Sequence, residues 1–425
     1  MVFELIYIFC KNTIKEFFLF LNTKSYFQRI LILIWTLLPF FMMISKSLTD
    51  LFIVLIAISF IFSSIFKFSW NWLNTSWIRL AILFLFFSCI SASISSLFVV
   101  SFSNGFAWIR FPLFAAAISF WLIKDREVLY FALFINFISI IFIFLLMGVE
   151  TVFTDHIAFE WPFRNPLNGP FIHKIGILFF CVSFLIVFLE LKYKTLALFF
   201  IFVSAIFSLL SGHRSGSFSF IIIIFLLSFW PRFKIKRSLF IVCFFSIVLL
   251  LYFSFNIEKL DRYLFDIFNF SNTSLLQYLG QWKTGLIVFF DNPIIGVGPT
   301  NVQNYLSENL IVNYDPFKNN EHPHNHYIQA FAETGLIGGI LYIAMFLNIT
   351  FTSFNNTKNE KNIIENLINK AVFITCICIF WPFANNYDLY GQQQNAYLWY
   401  VISIILVSHQ LNKKSSVKYK INSYI

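Results

Sequence analysis

Charge is what this chain has least of. Only 12% of its 425 residues are Asp, Glu, Lys or Arg, while 59% are hydrophobic. Soluble globular domains carry about 25% charged residues, so a soluble domain is excluded and an integral membrane protein is expected. Cysteine is scarce too. Cys89, Cys181, Cys243, Cys376 and Cys378 fall in apolar segments and Cys10 in the N-terminal segment. With none in a large polar loop, no disulfide is expected. The chain has no ATP-binding or other nucleotide motif, no internal repeat, and no Asp-x-Asp cluster in its long polar stretch. The N-terminus lacks a small-residue cleavage site after its first apolar run, so no removable leader is expected.

What is abundant is apolar bulk, with 62 Phe residues. A spanning helix needs roughly 20 mostly apolar residues. Twelve runs qualify, near 28–46, 50–67, 80–99, 105–123, 128–147, 172–190, 194–211, 215–231, 238–255, 334–353, 370–386 and 394–411. The expected fold class is an all-α integral membrane protein with about twelve transmembrane helices. The first 24 residues, with Lys11, Lys15 and Lys24 among Phe and Leu, read as an amphipathic segment on the membrane surface.

The balance of 30 Lys and Arg against 20 Asp and Glu could point to nucleic acid, but the distribution points to topology. With the N-terminus inside, alternate loops carry 21 of the 30 basic residues, the bias expected of cytoplasmic loops. Both termini are then cytoplasmic, the partners are membrane lipids and no nucleic acid, and every histidine except His409 lies outside. The chain divides into 1–255, holding nine spans; 256–333, a long outer loop; and 334–425, holding three spans and a basic tail. A loop of that length in a compact membrane protein is usually functional.

That loop ends in "EHPHNHYIQAFAETGLIGG". Tyr327, Ile328 and Phe331 recur at helical spacing, which predicts a short surface helix entering the tenth span. His324 would sit at its start, where the helix dipole disfavours imidazolium and a neutral ring serves as general base. The cluster of His322, His324 and His326 also fits solvated loop histidines, or a metal site. Zinc sites usually draw ligands from several elements, and no Cys or second His cluster lies outside, so no metal is expected.

A second cluster is "SLLSGHRSGSFSF". Arg214, with Ser215 and the small residues around it, occupies a tight outer turn before the eighth span. Free N–H groups, hydroxyls and a guanidinium there make an anion site suited to phosphate; a membrane-anchoring Arg is the plainer alternative. Arg110 in "AWIRFPLF" lies inside the fourth span, where a charge is costly and marks function unless it snorkels outward. Arg164, in the outer loop that also carries His173 and Lys174, could line the same pocket. In "LGQWKTGLIVFFDNPIIGVGPTNVQNYL", Trp282 is expected to start an amphipathic helix ending at Asp291, followed by a glycine turn with Gly296 and Gly298.

His324-Asn325, nine residues, then Gly335-x-x-Gly338 resembles the signature of the O-antigen ligase and O-antigen polymerase superfamily. "DNPIIGVGPTNVQNYL" resembles the segment that precedes that histidine, and Arg214 matches the outer Arg before the eighth span. The resemblance implies the membrane-embedded type C glycosyltransferase fold. It implies transfer of a glycan from undecaprenyl diphosphate to a hydroxyl outside a bacterial inner membrane, in the periplasm. The acceptor is lipid A–core oligosaccharide in ligases, which length and loop placement favour here, and a second lipid-linked glycan in polymerases. It implies no cofactor and no metal. His324 would be the catalytic base and Arg214 the catalytic diphosphate ligand, with Arg110, Arg164, Lys283, Asn325, His326 and Ser215 touching substrate and Trp282, Gly296, Gly298, Gly335 and Gly338 shaping the motif. The chain departs from the pattern where the family has a loop Arg before the tryptophan: Gln277 and Tyr278 stand there, and Lys283 follows. A flippase for the same glycans would put its charges near the midplane on paired broken helices, whereas the polar groups here gather at the outer end.

Overall fold

A computed structural model describes residues 14–153, 160–163, 167–188, 194–211, 219–220, 222–223, 225–226, 273–309, 322–357, 363–382 and 388–422. The described residues are helical with no strand. After α1 (residues 14–22) come α2 (Tyr26–Ile44), α3 (Lys46–Phe66), α4 (Ser76–Ser93), α5 (Phe98–Ala107) and α6 (Arg110–Ala116), the last running into a π-helical turn. They are followed by α7 (Arg126–Phe153), α8 (Asn168–Phe188), α9 (Lys194–Leu210), α10 (Thr273–Asp291), α11 (Val302–Glu308), α12 (His326–Asn356), α13 (Ile363–Ile379) and α14 (Gln392–Asn422). Among the described residues, seven helical stretches are long and apolar enough to cross a membrane. The chain is therefore a multi-pass membrane protein. The spans expected near 215–231 and 238–255 lie largely or wholly outside the described residues.

Two expectations on element limits are corrected. The fourth span begins at Phe98 instead of 105, because the Phe98–Ala107 segment is continuous with it in apolarity. Trp282 lies in the middle of α10, which begins at Thr273, since Leu275, Leu276 and Leu279 carry the helical apolar spacing backwards.

Helix starts follow local chemistry. Ser25 and Ser45 accept from the N–H groups of Gln28 and Leu48, each at 3.3 Å, satisfying donors that a helix start leaves open. Buried polar links then tie spans together where lipid offers no partner. Trp35 Nε1 donates to Ser403 at 3.0 Å and Asn136 Nδ2 to Tyr400 at 2.9 Å, joining α2 and α7 to α14.

Loop contacts sort into two sets. Arg126 pairs with Glu365, and Lys24 lies 3.9 Å from Asp125; all four belong to segments expected on one side. At the other end Arg110 meets Asp50, Asn104 donates to Thr300, and Asn325 donates to Pro382. Among the described residues these contacts fall into the two sets that alternating spans require. α12 lies against α4, α10, α13 and α14.

Candidate functional site

The site is built on a break in α12. Gly335 has φ 68° and ψ −168° inside that helix, a region essentially reserved for glycine. The break frees backbone groups, and the glycine loop after α10 satisfies them. Leu336 N–H donates to the Pro293 carbonyl at 2.8 Å, Val297 N–H to Ala332 at 3.1 Å, and Gly298 N–H to Glu333 at 2.9 Å. Ser91 on α4 donates to the same Glu333 carbonyl. Gly296 (φ 78°) and Gly298 (φ 99°) take left-handed turns. A Cβ on Gly296 would meet the Glu333 carbonyl oxygen at 2.6 Å, and one on Gly298 would meet Ser95 at 2.7 Å. A Cβ on Gly335 would strike the Ile294 carbonyl, and one on Gly338 would strike Thr334. Gly296 and Gly335 are thus explained by close approach of the glycine loop to the break, Gly298 by Ser95 and Gly338 by Thr334 one turn back in α12.

The histidine turn precedes this lock. Asn325 is the N-cap of α12; its Oδ1 accepts from Tyr327 N–H at 3.0 Å and Ile328 N–H at 3.2 Å, and its Nδ2 donates to Pro382 at 2.8 Å. Its side chain is committed to the cap and to the segment after α13. His324 stands just before the cap with φ 51°, a left-handed conformation uncommon for a residue with a Cβ. The His322 and His324 rings lie 4.1 Å apart, centroid to centroid, and both are half-buried. Burial pushes the His322 imidazole down to about 4, so at neutral pH it adds no charge beside His324. His326 is buried within α12 and its Nδ1 lies 3.2 Å from the Tyr342 hydroxyl. The helix carrying it was expected at the surface; instead Gln329, Ala330, Ala332, Glu333 and Thr334 are all buried, because the glycine loop and α4 cover it.

Two acids missing from the sequence reading complete the lock. Gln329 Nε2 donates to Glu333 Oε1 at 3.1 Å and to Asp388 Oδ1 at 2.6 Å, while its Oε1 accepts Leu389 N–H at 2.8 Å. Burial raises the Asp388 carboxyl above the ordinary carboxylate range, against hydrogen bonds from Gln329 and Tyr390 that lower it. Asp50 is a third acid absent from the sequence expectations, and it lies outside the lock. Arg110 Nε donates to it at 2.7 Å and Nη1 to the Ala107 carbonyl at 2.6 Å. The charge of Arg110 is therefore matched.

Arg164, Arg214 and Ser215 lie outside the described residues. Ser219, the next described residue after them, has its Oγ 2.8 Å from His173 Nε2. His173 and Lys174, expected in a loop, are buried inside α8. Lys283 is exposed on α10, Trp282 half-buried beside it. Among the described residues no three His, Cys, Asp or Glu side chains are grouped to hold a metal ion.

Residues 198–343 match the family model described as O-Antigen ligase. This segment belongs to the O-antigen ligase superfamily. No curated protein matches the chain. The O-antigen ligase segment runs from α9 past Arg214 to α10, α11, the glycine loop and the first half of α12. It thus includes His324 and all four motif glycines, while Asp50, Arg110 and Asp388 come from outside it.

Proposed function

We propose that this chain transfers a glycan from undecaprenyl diphosphate to a hydroxyl of lipid A–core oligosaccharide on the periplasmic face of a bacterial inner membrane. The observation that carries the reading is the His324 turn: a left-handed histidine just before the Asn325 cap of α12, a helix locked by the glycine loop, within an O-antigen ligase segment. The donor is already activated by its diphosphate. The protein needs only to accept the proton of the incoming hydroxyl and to stabilise the departing charge.

The step balances simply. His324 takes the acceptor O–H proton, the oxygen bonds to the anomeric carbon, and the bond from that carbon to the diphosphate oxygen breaks with its electron pair leaving on the diphosphate. The start of α12 disfavours a charged imidazole in the resting site, and neutral His322 spares His324 a like charge. Arg214, supported by Ser215 and Arg164, is our diphosphate ligand. Arg110 already has Asp50 as counter-ion and is assigned to holding α6 against α3. Lys283 stands in for the family's loop Arg as a point charge.

A polymerase differs only in the acceptor, a second lipid-linked glycan. Expression in a strain lacking its own ligase, followed by analysis of lipopolysaccharide, separates the two. Glycan attached to lipid A–core supports the ligase. Longer lipid-linked glycan without attachment assigns the polymerase. Transport of lipid-linked glycan across the membrane with neither product overturns both.

A further inference from the structure

α10 is amphipathic in the inverse sense. The face turned into the protein is largely polar: Gln281 is 3% exposed and Thr284 7%, beside Gly285 and Val288. The outward face, at spacings of three and four residues, is Leu279, Lys283, Leu286 and Phe290, and Phe290 is 71% exposed. Ile294 follows at 69%, with Ile295 also exposed. In water a surface helix shows the opposite arrangement, and a contiguous apolar patch marks an interaction site.

The neighbours say what covers it. Pro293 is hydrogen-bonded to Leu336, so Ile294 and Ile295 adjoin the exposed Leu336, Ile337 and Ile340 on α12. Those belong to a helix long and apolar enough to cross the membrane. From Gly335 to Asn356, α12 runs about 32 Å at ~1.5 Å per residue, close to the ~30 Å hydrocarbon core. A span from Gly335 to Asn356 would put Pro293 at the hydrocarbon boundary. α5 repeats the pattern on the other flank of the glycine loop. Its exposed Phe98, Phe102 and Phe106 form a ladder, while Ser101 and Gly105 face inward against Gly298 and Pro299.

We propose that α10 and the Pro293–Ile295 turn form an interfacial element seated in the acyl chains of the leaflet on the His324 side. Leu279, Leu286, Phe290, Ile294 and Ile295 contact lipid. The region is then part of the membrane boundary and not an aqueous loop. It holds the glycine loop and His324 at headgroup depth, the level of any lipid-linked phosphate. This placement does not depend on the glycan-transfer reading.

The test is spin-label accessibility of the full chain in phosphatidylethanolamine–phosphatidylglycerol vesicles, with native cysteines replaced. Single cysteines go at Phe290 and, separately, Ile294, with Leu347 as lipid-facing and Gln303 as water-facing references. Labels at 290 and 294 should collide freely with oxygen and, like Leu347, be shielded several-fold from a water-soluble nickel chelate relative to Gln303. Labels as open to nickel as Gln303 overturn the proposal. Labels shielded from both reagents overturn it in favour of a protein contact, such as a second copy of the chain.

Discussion

The Pro293 carbonyl accepts the Leu336 N–H at 2.8 Å, across the break that Gly335 makes in α12. That bond fixes the glycine loop to the helix whose start carries His324. A side chain at Gly335 would suffer positive-φ strain of order 1–3 kcal/mol and overpacking against the Ile294 backbone of about 1–3 kcal/mol more. Gly335→Ala should therefore lower stability by about 2–6 kcal/mol in detergent melts. Gly148→Ala on α7, where a Cβ meets nothing within 4 Å, should not destabilise. Equal melting for Gly335→Ala and wild type would remove the lock.

Asp388 gives stability a pH dependence of known sign. Its folded-state carboxyl titrates above the unfolded one. Stability from its protonated form is fully present below the ordinary carboxylate range and lost as pH rises through the raised folded value. Asp388→Asn keeps an acceptor for Gln329 and Tyr390 and cannot ionise. It should flatten the fall in melting temperature above the carboxylate range. An unchanged pH slope would show that Asp388 does not titrate there in the folded protein.

Much of this arrangement is legible in sequence because it rests on local patterns. Seven described spans follow from apolar run length, the turns from Gly296 and Gly298, and the His324-to-Gly338 spacing from one contiguous stretch. What was not legible depends on contacts distant in sequence. Gln329 meets Asp388 across 59 residues and Arg110 meets Asp50 across 60; no short pattern pairs them. Asn325 looked like a substrate contact because it adjoins His324, yet an Asn before a helix is equally a cap. The surface position expected for residues 326–334 failed because their helical spacing alone cannot show that the glycine loop packs over them.

Arg214 should fail as Lys as well as Ala. A guanidinium holds two phosphate oxygens at once, whereas an ammonium is a point charge. If Arg214 only anchors the eighth span, Lys serves equally, since both side chains snorkel. Undecaprenyl diphosphate binding and transfer at matched membrane abundance decide it. Full activity of Arg214→Lys would return Arg214 to anchoring and shift the diphosphate to Arg164.

The purified protein should keep its transfer rate in chelator, because arginines are assigned the leaving-group charge. A loss restored by added zinc or manganese would give the His322 and His324 pair a metal-binding role instead.

The central claim is that His324 is the base of a glycan transfer. Its most direct test is release of undecaprenyl diphosphate from a lipid-linked glycan, with lipid A–core supplied, by reconstituted wild type and His324→Ala. The variant should fold and insert normally and be slower by about 10²–10⁴-fold, the usual cost of losing a general base. Near-normal release by His324→Ala, or a comparable loss confined to His322→Ala, would contradict it.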